Sequence, residues 1–111
     1  MSAVLLRRLA ALSGAIAVAA GAYGAHGATG SAAEWLRTGA QYQLVHIVAA
    51  LVAVQMGHKG PAWLFVIGAA IFAITLYAMA LGAPRWFGAI TPIGGALLIG
   101  GWLWLAWSAR P

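Results

Sequence analysis

The residues best equipped for chemistry fall together in GAQYQLVH, residues 39–46. Two carboxamides (Gln41 and Gln43), a phenol (Tyr42) and an imidazole (His46) lie within this stretch. On a helix, residues three and four apart share a face, so Gln43 and Tyr42 would both reach the His46 ring. Such a group can handle protons, hold a small polar ligand, or fasten helices together. The run after His46 is apolar to Val54. An imidazole buried there would be neutral, because desolvation disfavours its charged form.

His26 and Thr91 complete the candidate polar cluster of His26, Gln41, Tyr42, Gln43, His46 and Thr91. Most other chemistry is excluded by what is missing. Glu34 is the only acid, and there is no Asp, Asn or Cys. A carboxylate pair within one chain is impossible. A Ser-His-Asp triad lacks its Asp, with Glu34 a formal substitute only. No Gly-rich phosphate loop precedes a helix. A metal site would have to draw on His26, Glu34 and His46, which show no HxxxH spacing. A haem held by His26 and His46 would need both at one depth, yet His26 stands at a helix end. The sequence therefore predicts no catalytic residue, no metal and no cofactor.

The elements that position the cluster follow from composition. The 111 residues are 64% hydrophobic and 6% charged, with a mean hydropathy of +0.93. Soluble domains carry about 25% charged residues, so the chain reads as an all-α integral membrane protein. The net charge of +5 is scattered between apolar runs rather than gathered in a basic stripe. That pattern argues against nucleic acid and for orientation signals. A spanning helix needs roughly 20 apolar residues. Four stretches qualify, near 9–25, 38–56, 61–81 and 87–108, and their short links predict one antiparallel bundle of four transmembrane helices.

Four crossings place both termini on one side with Arg7, Arg8, Lys59 and Arg110; Arg37 and Arg85 lie opposite, partly offset by Glu34. The positive-inside rule puts the termini in the cytoplasm. Arg7-Arg8 and GAYGAHGA also resemble a secretory leader. Cleavage there would strip the remaining helices of a small-residue partner, so an uncleaved first helix is expected. Small residues allow helices to approach closely in lipid. Ala10, Gly14, Ala17, Gly21 and Gly24 form such a face on the first helix. Gly68, Thr75 and Gly82 repeat at heptad spacing on the third, and Gly94 and Gly101 on the fourth. Trp35, Trp86, Trp63, Trp104 and Trp107 fall near the predicted ends as an aromatic belt, with Trp102 deeper.

SAAE, residues 31–34, reads as a capping box in which Ser31 caps and Glu34 reaches back. The second helix would then begin near Ala32 as an interfacial turn, with Gly39 a site for a bend. Pro92 either opens the fourth helix behind a Thr91 cap or kinks a helix begun at Phe87. On this topology the polar residues collect in the outer half, and only Ser13 and Gln55 lie in the inner half.

Three blocks carry a resemblance: GAYGAHG, WLRTGAQYQLVH and ITPIGGALLIGGW, with LFVIGAAIFAITLYAMAL between the last two. In this order the chain resembles the small membrane proteins of domain of unknown function 423, related to eukaryotic transmembrane protein 256. The resemblance implies a four-helix protein of the bacterial inner membrane. Matching positions are Gly24, His26, Gly27, Gln41, Tyr42, Gln43, His46, Thr91, Pro92, Gly94 and Gly95. Thr75 stands where family members often carry serine or glycine. The family has no established activity, so no catalytic residue carries over.

Two functions are expected from different classes. The first is a non-enzymatic accessory, assembly or lipid-interacting component, whose partners are the lipid bilayer and a larger membrane complex or homo-oligomer. The second is a small-molecule carrier, channel or membrane enzyme subunit using an outer-leaflet cluster around His46.

Overall fold

A computed structural model describes residues 2–108; Arg110 lies outside them. The chain is all-helical: α1 (Ala3–His26), α2 (Gly30–Gln55), α3 (Lys59–Ala80), a short 3-10 helix (Arg85–Ala89) and α4 (Thr91–Ser108). Helices α1, α3 and the segment Arg85–Ser108 are long and apolar enough to cross a membrane. Helix α2 is not among these three. It has the length, with 26 residues, but also Thr38, Gln41, Gln43, His46 and Gln55.

The ends differ from expectation for local reasons. Helix α1 starts six residues earlier than its apolar run, because Ser2 caps it by accepting a hydrogen bond from the Leu5 amide at 3.1 Å. Helix α2 starts at Gly30, behind Thr29, which makes no side-chain cap bond. The expected capping box is therefore absent. An N-cap needs extended backbone, and Ser31 already lies inside the helix; Ser31 and Glu34 are both exposed. Gly30 itself takes φ +60°, a turn that glycine makes without steric cost. Gly39 does not end or divide α2, which runs unbroken to Gln55.

At α4, Pro92 stands in the first turn as in the first alternative, but Thr91 is the first helical residue rather than a cap before it. The helix opens at Thr91, and Pro92 sits in its first turn, where a missing amide is harmless. Of the four residues assigned to the start of that helix, Phe87, Gly88 and Ala89 belong to the separate 3-10 segment and Ile90 to the turn that follows it. Gly82 lies beyond α3 in a turn with φ +106°, so it does not extend the Gly68 and Thr75 face.

Helices α2 and α3 form the centre. Helix α1 packs on α2 and more lightly on α3, while α4 packs on α3. Leu6, Ala10, Ile47, Ala50, Phe65 and Leu98 join in one core cluster. The small faces are contact surfaces. A Cβ at Gly24 would meet Leu36 Cβ at 2.9 Å, one at Gly21 would meet Ala40 at 3.4 Å, and one at Gly14 would meet Ile47 at 3.8 Å. The tightest approach joins α3 and α4. A Cβ at Gly94 would stand 2.5 Å from the Phe72 amide nitrogen and 2.7 Å from the Gly68 carbonyl oxygen. At Gly68 it would lie 3.0 Å from the Gly94 carbonyl, and at Gly101 2.8 Å from the Phe65 ring.

Candidate functional site

Gln43 is 2% exposed and ties three helices. Its Nε2 donates to Ser13 Oγ of α1 at 2.8 Å, and its Oε1 accepts from the Tyr77 hydroxyl of α3 at 2.6 Å. A carboxamide suits this task because it carries a donor at one corner and an acceptor at the other. Tyr77 reaches it over Gly39: a Cβ there would sit 2.7 Å from the Tyr77 ring. Gly39 is thus a clearance rather than a bend.

His46 is 7% exposed and looks the other way, toward α4. Its Nδ1 is 2.6 Å from the Tyr42 carbonyl, and its Nε2 accepts from the Trp102 indole N–H at 3.0 Å. A carbonyl can only accept and an indole can only donate. The pair of bonds therefore selects the neutral imidazole with its proton on Nδ1. Phe65 and Trp102 flank the ring at centroid distances of 5.8 Å each, and Tyr42 stacks over it at 6.1 Å.

Thr75 of α3 and Thr91 of α4 make the third link. Their hydroxyls are 2.6 Å apart. Thr75 also donates back to the Ile71 carbonyl at 2.9 Å, the usual outlet for a hydroxyl within a helix. Thr91 thus serves as a bridge to α3 rather than as the expected cap.

The candidate cluster divides. Gln43, His46 and Thr91 are buried within the bundle, and Tyr42 contributes its carbonyl and ring. Gln43 does not touch the imidazole as expected; it faces α1 and α3 while His46 faces α4. His26 and Gln41 are exposed and make no side-chain hydrogen bond among the described residues. Two further residues, Ser13, assigned to the inner half, and Trp102, set only as deeper than the aromatic belt, prove to be partners of the cluster. Ser13 bonds Gln43 directly, so the two share one depth. Ser13 lies about 15 Å along α1 and Gln43 about 20 Å along α2, at 1.5 Å per residue. The cluster therefore sits mid-helix rather than at an outer mouth. The expectation counted depth from the apolar run at Thr38, whereas α2 begins at Gly30 and eight helical residues precede that run.

Among the described residues, every fully buried side-chain nitrogen or oxygen has a hydrogen-bond partner. Two grooves adjoin the network. One of about 310 Å³ is lined by Gln41, Tyr42, Val45 and His46. The other, of about 370 Å³, lies between α1 and α3, and is aliphatic apart from Ser13 and Gln43. No group of three metal-binding side chains occurs among the described residues.

The model of a protein family of unknown function, DUF423, matches residues 20–95, which contain Gln43, His46, Thr75 and Thr91. The chain belongs to the DUF423 family. It is 37% identical to a UPF0382 membrane protein of Haemophilus influenzae, over 91% of this chain and 90% of that one. It is 36% identical to the UPF0382 inner membrane protein YgdD of Escherichia coli K12, over 84% of this chain and 79% of that one. A UPF0382 membrane protein of Staphylococcus epidermidis is 38% identical, over 86% of each chain. No solved structure matches. The DUF423 chain is thus a membrane protein, and its relatives carry names of place rather than of activity.

Proposed function

We propose that this protein is a non-enzymatic accessory or assembly component of the inner (plasma) membrane, built as an antiparallel bundle of four spans. The observation that carries the reading is saturation of the network. Both ends of the Gln43 carboxamide and the Nε2 of His46 are engaged in joining helices, and the His46 Nδ1 is engaged by the Tyr42 carbonyl of its own helix. A group engaged on every polar atom is a fastener. Working as an acid, a base or a ligand would require it to break a helix contact first.

The order of contacts supports the antiparallel arrangement. Gly14, Gly21 and Gly24 meet Ile47, Ala40 and Leu36, so residue numbers rise on one helix as they fall on the other. Helix α2 fits as the fourth span because Gln43 and His46, which lower its average hydropathy, are turned inward. Its charges, Glu34 and Arg37, lie toward its N-terminal end. Both termini then face the cytoplasm with Arg7, Arg8, Lys59 and Arg110. A periplasmic reporter fused to the C-terminus is expected to be inactive; an active one overturns this orientation.

The groove beside His46 favours one second reading, a carrier, channel or enzyme subunit that takes a small molecule against Tyr42 and His46. One experiment separates the two. The gently extracted protein is expected to retain lipid, a partner or a second copy. The double variant His46→Ala, Gln43→Ala should lose thermal stability and retention together. A wild-type chain recovered as a bare monomer overturns the accessory role. A variant that stays fully folded but loses its cellular phenotype favours the small-molecule role.

A further inference from the structure

The face of α2 turned away from the bundle carries a pattern of its own. Thr38, Gln41, Val45, Val48, Val52 and Gln55 recur at alternating steps of three and four, and all are exposed. Val45, Val48 and Val52 are each more than half exposed, at 55%, 54% and 51%. A repeat of 3.5 residues is the seam along which helices coil around one another. The stripe runs about 26 Å at 1.5 Å per residue.

Outward valines alone would be ordinary in lipid. The glutamine among them is not. Ala40 packs on Gly21 of α1, five residues before the end of that helix. Gln41 therefore lies level with an apolar part of α1. Its carboxamide has no hydrogen-bond partner among the described residues, and acyl chains offer neither donor nor acceptor. Such side chains are satisfied in membranes by a neighbouring helix.

We infer that the outward stripe of α2 pairs with the same stripe of a second copy, forming a parallel two-fold dimer in which Gln41 bonds its own counterpart. A two-fold axis brings identical residues together. A carboxamide is complementary to itself, since each copy supplies one donor and one acceptor. Two copies inserted the same way make the helices parallel. The dimer leaves the Gln43 links and the Thr75–Thr91 link within each copy untouched, because Gln43 bonds α1 and α3 and the threonines lie between α3 and α4, while the groove of Gln41, Tyr42, Val45 and His46 borders the seam. It rests on the proposed reading that α2 crosses the membrane.

The chain has no cysteine, so single replacements report without interference. Gln41→Cys, Val45→Cys and Val48→Cys should form disulfide-linked dimers on mild oxidation in native membranes. Leu12→Cys on α1 and Ile99→Cys on α4, at 64% and 63% exposure, should remain monomeric. Gln41→Val should weaken dimerisation roughly three- to tenfold, the scale of one or two interhelical hydrogen bonds in a membrane, and Gln41→Asn should restore part of it. Equal cross-linking at all five positions, none at the stripe, or an unchanged dimer in Gln41→Val overturns the inference. Labelling of Ser31→Cys and Gly57→Cys from opposite sides of the membrane tests the crossing of α2 separately. Opposite-side labelling without stripe-specific cross-linking removes the dimer and leaves the span.

Discussion

Gly94→Ala should lower stability by about 3 kcal/mol, the upper part of the range for overpacking, and Gly95→Ala should not. The two residues are adjacent on α4, and each replacement adds one methyl group. At Gly94 that methyl would meet the Phe72 amide nitrogen at 2.5 Å and the Phe72 Cα at 2.9 Å. These are backbone atoms of another helix, and they cannot swing aside as a side chain does. Helices α3 and α4 would have to separate, stretching the 2.6 Å contact between Thr75 and Thr91 as they do. At Gly95 the nearest atom is Phe72 Cδ2 at 3.9 Å, an ordinary contact. There the substitution should gain a few tenths of a kcal/mol through helix propensity, up to about 1 kcal/mol. Unfolding midpoints of the two variants in detergent check the difference. Equal midpoints would mean that the α3–α4 crossing is looser than described.

Gln43→Leu should cost about 2 kcal/mol, since it removes two interhelical hydrogen bonds of about 1 kcal/mol each. Leucine keeps most of the volume, so the loss is polar rather than a cavity. The two abandoned partners are not equivalent. Ser13 can turn its hydroxyl to a carbonyl of its own helix. The Tyr77 hydroxyl, aimed across Gly39, has no such outlet. Tyr77→Phe alone should therefore cost about half as much as Gln43→Leu. The double variant should cost less than the sum, because removing both partners leaves nothing buried and unpaired. A thermal double-mutant cycle measures the coupling. Strict additivity would show that the Tyr77 bond to Gln43 contributes nothing to stability.

Much of the architecture was legible along the chain. Hydrophobic runs exposed the helices, because a segment that must bury its backbone polar groups advertises itself by length and composition. The small faces were legible for the same reason: Gly68, Gly94 and Gly101 recur at helical spacing and do face neighbours. The ends were less so. Ser2 starts α1 before its apolar run begins, and Thr29-Gly30 starts α2 before SAAE. Capping depends on the backbone angle at one residue, which the residue types do not dictate.

That the chain belongs to a small helical membrane family, and that Gln43, His46 and Thr91 are its notable polar groups, follows from the sequence by itself. Which of those groups meet was decided only by tertiary structure. Gln43 and His46 are close along α2, yet their side chains diverge to different helices. Ser13 and Gln43 are far apart in sequence and share one hydrogen bond. Depth is the physical reason. A side chain's partner in a bundle is set by the register of one helix against another, and register depends on where each helix starts and how closely its glycines let it approach. Counted from the start of α2 at Gly30 rather than from the apolar run at Thr38, the polar cluster lies at the middle of the helix and not at its edge. With that, the likeness to an open site gave way to a set of closed links among four helices.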